Sequence, residues 1–406
     1  MDIFDASQKI SDYVIACRRQ ICQNPELSDK EFATLAFIRA QLDDLGIAYV
    51  SIEGGGIIAT IEGPTPGKTV LLRADMDALA LQEDPCNFKT QKTCLSSVPG
   101  VAHLCGHDAH VAMLLGAGKL LQENKNLLQG KVLLFFEQGE ECGHGDIHMF
   151  DYIQTNNLQI DGCWALHVFP QLDKGYIGLI PGGVFAGAVS WGITLKPKGK
   201  GNVIDCGASI LQAIQSARLS AVSPFEAITL TPCIFRTNPD GTCLVRGSCR
   251  FYERDKAGLP MKRAIRRIAE ETCKAYDCEI VDMRLNGPKE GLLNDPTCYE
   301  IAKEALTQAL GSQAVVAIEP TMYGESFSAL SSYYPSLMVL LGIRDAEKGI
   351  TATLHNPKFE ANEEALCYGV AASVAYAIAF LNHKQDIPFT PFVGSFDDFR
   401  AARQMD

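Results

Sequence analysis

The sequence predicts an α/β protein with a discontinuous first domain, a mixed and mostly parallel sheet flanked by helices, and an inserted ferredoxin-like α+β domain. Three observations carry that expectation. Helical and strand patterns alternate in the first third of the chain and again near its end. The strands of those regions are unbroken apolar runs, as expected of a sheet covered on both faces. Between residues 183 and 290 the pattern changes to half-exposed strands in the order β-α-β-β-α-β. Residues 1–182 and 291–406 are therefore assigned to one domain and 183–290 to the other.

Each element has its own signature. Ser28 followed by Glu31 reads as a capping box, Leu35, Ile38, Leu42 and Leu45 form a helical stripe, and Gly46 stands where the helix should stop. This predicts a helix from about Asp29 to Leu45. Strands are expected at Gly56 to Glu62, Thr69 to Arg73 and Lys131 to Phe136, with a helix from near His107 to Gln122 between the last two. In the insert, Val189, Trp191, Ile193 and Leu195 alternate along one strand face, and Ile210, Leu211 and Ile214 mark a helix. Strands around Glu226 to Phe235 and Thr242 to Glu253 precede a helix striped by Met261, Ile265, Ile268 and Ala269. A strand near Cys278 to Leu285 closes the set. The first pattern then resumes with the helix Pro296 to Leu310, the strand Leu337 to Leu341 and the helix Glu363 to Leu381. The tail after His383 reads as peripheral.

A length of 406 residues exceeds what one core usually supports, in keeping with two domains. The first residues lack the basic and apolar regions of a signal peptide, and no apolar run reads as a membrane span. Fifteen cysteines, an odd number without framework spacing, read as reduced thiols, so a cytoplasmic location is expected. A net charge of -12 without a dense basic cluster excludes a nucleic-acid or anionic-membrane surface.

The chemistry concentrates in Cys105-Gly106-His107-Asp108-Ala109-His110 and in the pair Glu140-Glu141 after an apolar strand. Thiol, imidazoles and paired carboxylates at loop ends are the materials of a transition-metal site that activates water. In such sheets ligands gather at the carboxyl ends of strands, where Asp75, Asp77, Glu140, Glu141 and His167 are expected.

Six ordered motifs carry a resemblance. They are Asn24-Pro25-Glu26-Leu27, Leu72 to Leu79, His103 to His110, Glu140-Glu141, Leu166-His167-Val168 and Leu354-His355-Asn356-Pro357. In these the chain resembles the M20 metallopeptidases, in particular the amidohydrolase branch of aminoacylases, hippurate hydrolases and plant hormone conjugate hydrolases. The resemblance implies two divalent metal ions, zinc or manganese, with Cys105, His107, Glu141, His167 and His355 as ligands. It implies Glu140 as general base and then general acid toward a metal-activated water. Taken alone, His167 and His355 would read as core histidines, and the glutamates as solvated loop acids; the shared motif order reverses this. Asp75, Asp77, His103, Asp108 and His110 are expected to hold and orient the ligands. For Asp108 a helix-capping role is the alternative. On the inserted domain, which the resemblance makes a lid and dimerisation domain, Asn238 and Arg250 are candidate substrate-binding residues, and Glu325, beyond that insert, is a third. A surface ion pair is the alternative for Arg250.

Three departures accompany the match. Cys22 stands where family members usually carry histidine. Gly324-Glu325-Ser326-Phe327 replaces a common Glu-Asp-Phe. The segment Pro197 to Asp205 replaces Gly-Gly-His-Ala-Ala, and no histidine occurs between His167 and His355. Loss of an oxyanion donor can cost about 10²–10³-fold in rate. Two expectations follow. One is a hydrolase acting on the amide of an N-acyl amino acid, a dipeptide or a related small conjugate. The other is a catalytically weakened homologue that binds metal and a small ligand or a partner protein. A zinc oxidoreductase fails for want of a dinucleotide fingerprint.

Overall fold

The apolar strands of the first third need cover on both faces, and the helices that follow them in sequence provide it. A computed structural model describes residues 2–141, 145–392 and 394–403. The chain opens with α1 (Ile3–Lys9), α2 (Ser11–Gln23) and α3 (Phe32–Asp44), then β1 (Ala48–Ile52), β2 (Gly56–Glu62) and β3 (Thr65–Asp75). Next come α4 (His107–Glu123), β4 (Gln129–Glu137), α5 (Gly145–Thr155), β5 (Gly162–Asp173) and β6 (Ile177–Leu179). A short β7 (Gly182–Phe185) leads to β8 (Gly187–Pro197), α6 (Val203–Ala221), β9 (Ile228–Thr237), β10 (Cys243–Phe251), α7 (Leu259–Ala275) and β11 (Cys278–Lys289). The chain finishes with β12 (Leu292–Asn294), α8 (Pro296–Leu310), β13 (Val315–Ala317), α9 (Ser328–Ser331), β14 (Ser336–Arg344), α10 (Leu366–Asn382) and α11 (Phe396–Arg403).

Two units result. The first comprises the chain up to Gly182, Asn294–Glu319 and Ala329–Pro391. Its eight-stranded sheet has the order β1-β2-β4-β3-β5-β14-β6-β13. The central strands β4, β3, β5 and β14 run parallel, and β1 and β2 continue antiparallel at one side. Val70, Leu72, Val132, Leu134 and Trp164 are buried beneath α4 and α10, as continuous apolar strands require. The stretch Glu363–Asn382 is long and apolar enough to cross a membrane by length and composition alone. Here it is a core helix: Val370, Ala371, Val374 and Tyr376 are fully buried, and α10 packs on α4 and α8.

The capping box expected for α3 does not form. Ser28 Oγ donates instead to Asp77 Oδ2 at 2.6 Å, and Glu26 caps the helix by accepting from the Ala33 and Thr34 amides at 3.0 and 2.8 Å. The helix accordingly starts at Phe32, three residues later than expected. Gly46 ends it as predicted: at φ +63° its amide reaches the Asp43 carbonyl and the Ile47 amide reaches Leu42.

The second unit holds Gly183–Leu293 and Pro320–Ser328, together with the described residues from Phe392 on. This differs from the expected 183–290 because two later segments rejoin it. Its sheet, in the order β11-β8-β10-β9, is antiparallel throughout. The buried face of β8, with Val189, Trp191, Ile193 and Leu195, packs with Ile210 and Ile214 of α6 and Met261, Ile265 and Ala269 of α7. Asn202 caps α6 by accepting from Ile204 and Asp205. Most described residues of the tail after His383 are exposed or half-buried, as a peripheral segment would be, but α11 is anchored. In α11, Phe399 is fully buried and Arg403 nearly so, because the aromatic residues of this segment supply an apolar face.

Candidate metal centre

Parallel registry brings the polar groups of the first unit to one level. Asp75 pairs with Glu137 across β3 and β4, and Arg73 pairs with Ala165 across β3 and β5. Two residues further on, Asp75 comes level with His167. His167 is therefore not at the carboxyl end of its strand, as the sequence suggested. It sits within β5, which continues to Asp173 after β3 has stopped. The other side of the site is the start of α4. Gly106, at φ +87°, turns the chain into His107, and a Cβ there would lie 2.4 Å from Val168 Cγ2. Only glycine meets both demands.

Hydrogen bonds fix each imidazole. His107 Nδ1 lies 3.0 Å from Asp77 Oδ1, which leaves Nε2 turned away, 3.7 Å from Asp75 Oδ2. His110 accepts the Val168 amide at Nε2 (2.9 Å), so its proton resides on Nδ1, which donates to Asp75 Oδ1 at 2.5 Å. Both His110 nitrogens are thus committed, and it orients Asp75 rather than offering a lone pair. His167 donates from Nδ1 to the Val168 carbonyl at 2.7 Å, directing Nε2 to within 3.7 Å of Cys105 Sγ. Arg73 closes the layer, bonding Asp75 at 2.7 Å and Glu137 at 2.5 Å.

Cys105, Glu141 and His355 meet in front of this layer. His355 has φ +61°, an uncommon conformation outside glycine, and its amide bonds the Leu104 carbonyl at 2.8 Å. That backbone brings its Nε2 within 3.3 Å of both Cys105 Sγ and Glu141 Oε1. The Glu141 amide donates to Asp77 Oδ2 at 3.0 Å. Glu31, expected in a capping box, instead accepts from the Gly139 amide and from Gln138, holding the turn that delivers Glu140 and Glu141.

Three donor groups result among the described residues, each with its ligand atoms within 4.8 Å of one another: Asp75 with His107, His110 and His167; Cys105 with Glu141 and His355; and His107 with Glu140 and Glu141. Glu141 belongs to the last two. Among the described residues His107 Nε2 is buried without a hydrogen bond, an expensive arrangement unless a cation is meant to meet it. The thiolate, imidazole and carboxylate set suits zinc-like ions, so these residues fit a metal pair. The electrostatics agree. Burial opposes charge on His107, yet Asp75, Cys105 and Asp77 outweigh it and raise its pKa well above the usual value. Burial pushes the Cys105 thiol up, and a bound dication would reverse that by stabilising the thiolate. Burial likewise opposes ionisation of Glu141, but His355 and His107 prevail and lower it.

The remaining expected residues fall elsewhere. Among the described residues Asp108 bonds none of the expected ligands; its Oδ2 accepts from Arg18 Nε at 2.7 Å, a buried pair in which Arg18 also reaches Glu363. Arg18 was not anticipated, since its partner lies 90 residues away and no local motif signals it. His103 is buried with neither ring nitrogen hydrogen-bonded. Within the second unit, Asn238 belongs to the turn between β9 and β10, where its side chain bonds Thr242 Oγ1 at 2.9 Å. The Glu325 carboxylate accepts from the Phe327 amide at 3.0 Å. Arg250, on β10, is half-buried and has no hydrogen-bond or ion-pair partner among the described residues.

A family model described as peptidase family M20/M25/M40 matches residues 71–379. The chain belongs to that family. Within M20 it is 33% identical over 399 residues to thermostable carboxypeptidase 2 of Saccharolobus solfataricus, covering 92% of this chain and 97% of that protein. It is 30% identical over 402 residues to IAA-amino acid hydrolase ILR1-like 2 of Arabidopsis thaliana, covering 94% and 88%. Among solved structures, a dinuclear metal-binding M20 peptidase of Bacillus subtilis superposes with a TM-score of 0.80 at 26% identity, covering 92% of this chain and 99% of that one. The M20 fold and this donor set make the protein a metal-dependent hydrolase of the α/β class, as expected from its motifs.

Proposed function

We propose that the protein hydrolyses the amide bond of an N-acyl amino acid or a related small conjugate, including dipeptides. The observation that carries this reading is Glu141 shared between two donor groups, with Glu140 beside it on one of them. In this reading Cys105, His107, Glu141, His167 and His355 hold two divalent ions, zinc or manganese. The ions would supply Lewis acidity, polarising the amide carbonyl and easing deprotonation of water. Glu140 takes that proton on its carboxylate and returns it to the leaving nitrogen. Asp77 fixes the His107 tautomer and the Glu141 backbone, while Asp75 and His110 hold the layer behind them.

Arg250 and the names of the relatives support this substrate class. One relative is named an IAA-amino acid hydrolase and the other a carboxypeptidase, and a substrate that carries a carboxylate is in keeping with both names. Arg250, a half-buried guanidinium without a partner among the described residues, suits that carboxylate. We further propose a homodimer through residues 183–290, where edge strand β9 carries exposed Phe235, and Leu219 and Phe225 are also exposed. The described cysteines are all free, in keeping with a reducing cytoplasm.

The test joins metal analysis to a hydrolysis screen over N-acyl amino acids and dipeptides, with Glu140→Gln alongside. The variant is expected to keep its metal and lose about 10²–10⁴-fold in kcat. The missing histidine between His167 and His355 favours a second reading, a weakened homologue that binds without turnover. Wild type that binds metal yet is no faster than Glu140→Gln on every amide would select that second reading.

A further inference from the structure

We infer that Arg403, in the tail, is a positioning residue for Arg250. The inference rests on the reading of Arg250 as the anchor for the substrate's carboxylate. Arg250 Nη1 lies against Gly324, so closely that a Cβ there would come within 2.9 Å. Whatever fixes Gly324 therefore fixes one wall of the guanidinium's space.

Gly324 opens a tight turn. The Ser328 amide donates to the Glu325 carbonyl at 3.3 Å and the Phe327 amide to Glu325 Oε1 at 3.0 Å, with Phe327 buried. On the near side, the Tyr252 hydroxyl donates to the Thr321 carbonyl at 3.0 Å and the Ala186 amide to the Tyr323 carbonyl at 2.7 Å. On the far side the tail is the clamp: Arg403 Nη2 donates to Ser328 Oγ at 2.8 Å, both side chains being buried. Arg403 Nε lies 3.8 Å from Glu290, and its guanidinium sits 4.8 Å over the ring of the fully buried Phe399. A planar fork that bonds a hydroxyl, faces a carboxylate and stacks on a ring defines one position for the turn, which a lysine could not reproduce. Guanidinium recognition of a carboxylate is bidentate and geometrically demanding, so a displaced turn weakens it without touching the chemistry.

The experiment compares an N-acyl amino acid from the screen with its carboxamide, which lacks the negative charge. Arg250→Met tests the underlying reading, and should raise KM for the carboxylate substrate alone. Arg403→Met should do the same, raising that KM about tenfold with kcat and metal content held, while the carboxamide is little affected. Arg403→Lys should fall between wild type and Arg403→Met. Ser328→Ala, which leaves the tail intact, should reproduce the selective effect if Arg403→Met proves unstable. If Arg250→Met shows the selective loss but neither Arg403→Met nor Ser328→Ala does, the inference is overturned and the Arg250 reading stands. Equal losses on both substrates in Arg403→Met and Ser328→Ala reduce Arg403 to a structural role and also overturn it. No selectivity in Arg250→Met removes the carboxylate anchor itself.

Discussion

Asp77 and His107 meet through Oδ1 and Nδ1 at 3.0 Å, while the second oxygen of Asp77 accepts from the Glu141 amide and Ser28 Oγ. One carboxylate therefore sets the tautomer of one proposed ligand and the backbone position of another. Asp77→Asn can keep only part of this pattern. Its metal affinity is expected to fall about 10–100-fold, read by competition with a chelator. An unchanged affinity would show that His107 and Glu141 hold their places without it.

The two histidines of the α4 start should separate cleanly. His107→Ala removes a lone pair aimed at the site and should lower metal stoichiometry. His110→Ala takes away the partner of Asp75 Oδ1 and of the Val168 amide, while Arg73 still bonds Asp75 Oδ2, and should cost about 1–3 kcal/mol of stability while metal stoichiometry persists. Elemental analysis beside urea denaturation distinguishes the two.

His110 also predicts a pH dependence. Burial outweighs the attraction of Asp75 and pushes its pKa down to about 4. The fold therefore favours neutral imidazole: that stability is complete above the unfolded pKa near 6.5 and is lost as pH falls toward 4. Denaturation of the metal-free protein across this window should show a steeper decline for wild type than for His110→Asn. Parallel declines would contradict a neutral, buried His110.

Arg18 and Asp108 form a buried pair, so removing one partner strands the other. Arg18→Met is expected to destabilise by about 3–5 kcal/mol, and the double change with Asp108→Leu to recover much of it. Equal denaturation midpoints for wild type and Arg18→Met would refute this.

The cap of α3 offers a compact check. Glu26→Ala should cost about 1 kcal/mol through loss of the two amide bonds at the helix start. Ser28→Ala should act instead through Asp77, on metal affinity. A stability loss in Ser28→Ala with metal affinity intact would reinstate the capping box.

These comparisons show where the sequence is informative. Alternation in β8 and the stop at Gly46 are local signals, and the structure places both elements accordingly. Cys105, His107 and the Glu140-Glu141 pair stood out because their spacing is itself local. Ser28 misled because a hydroxyl bonds the best acceptor in space, and Asp77, 49 residues away, displaced the nearby amides. Arg18 and Arg403 were missed for the same reason: their partners Asp108 and Ser328 are 90 and 75 residues distant. His167 was placed too near a strand end because apolar pattern marks where a strand runs, not where its neighbour stops.

The return of residues 320–328 and 392–403 to the second unit bears on how the protein is made. During synthesis the four-stranded sheet and its two helices emerge early and can collapse on their own core. The turn beside Arg250 arrives later, and the arginine that clamps it later still. A chain that has not yet supplied α11 would carry a folded sheet whose turn beside Arg250 still lacks its clamp.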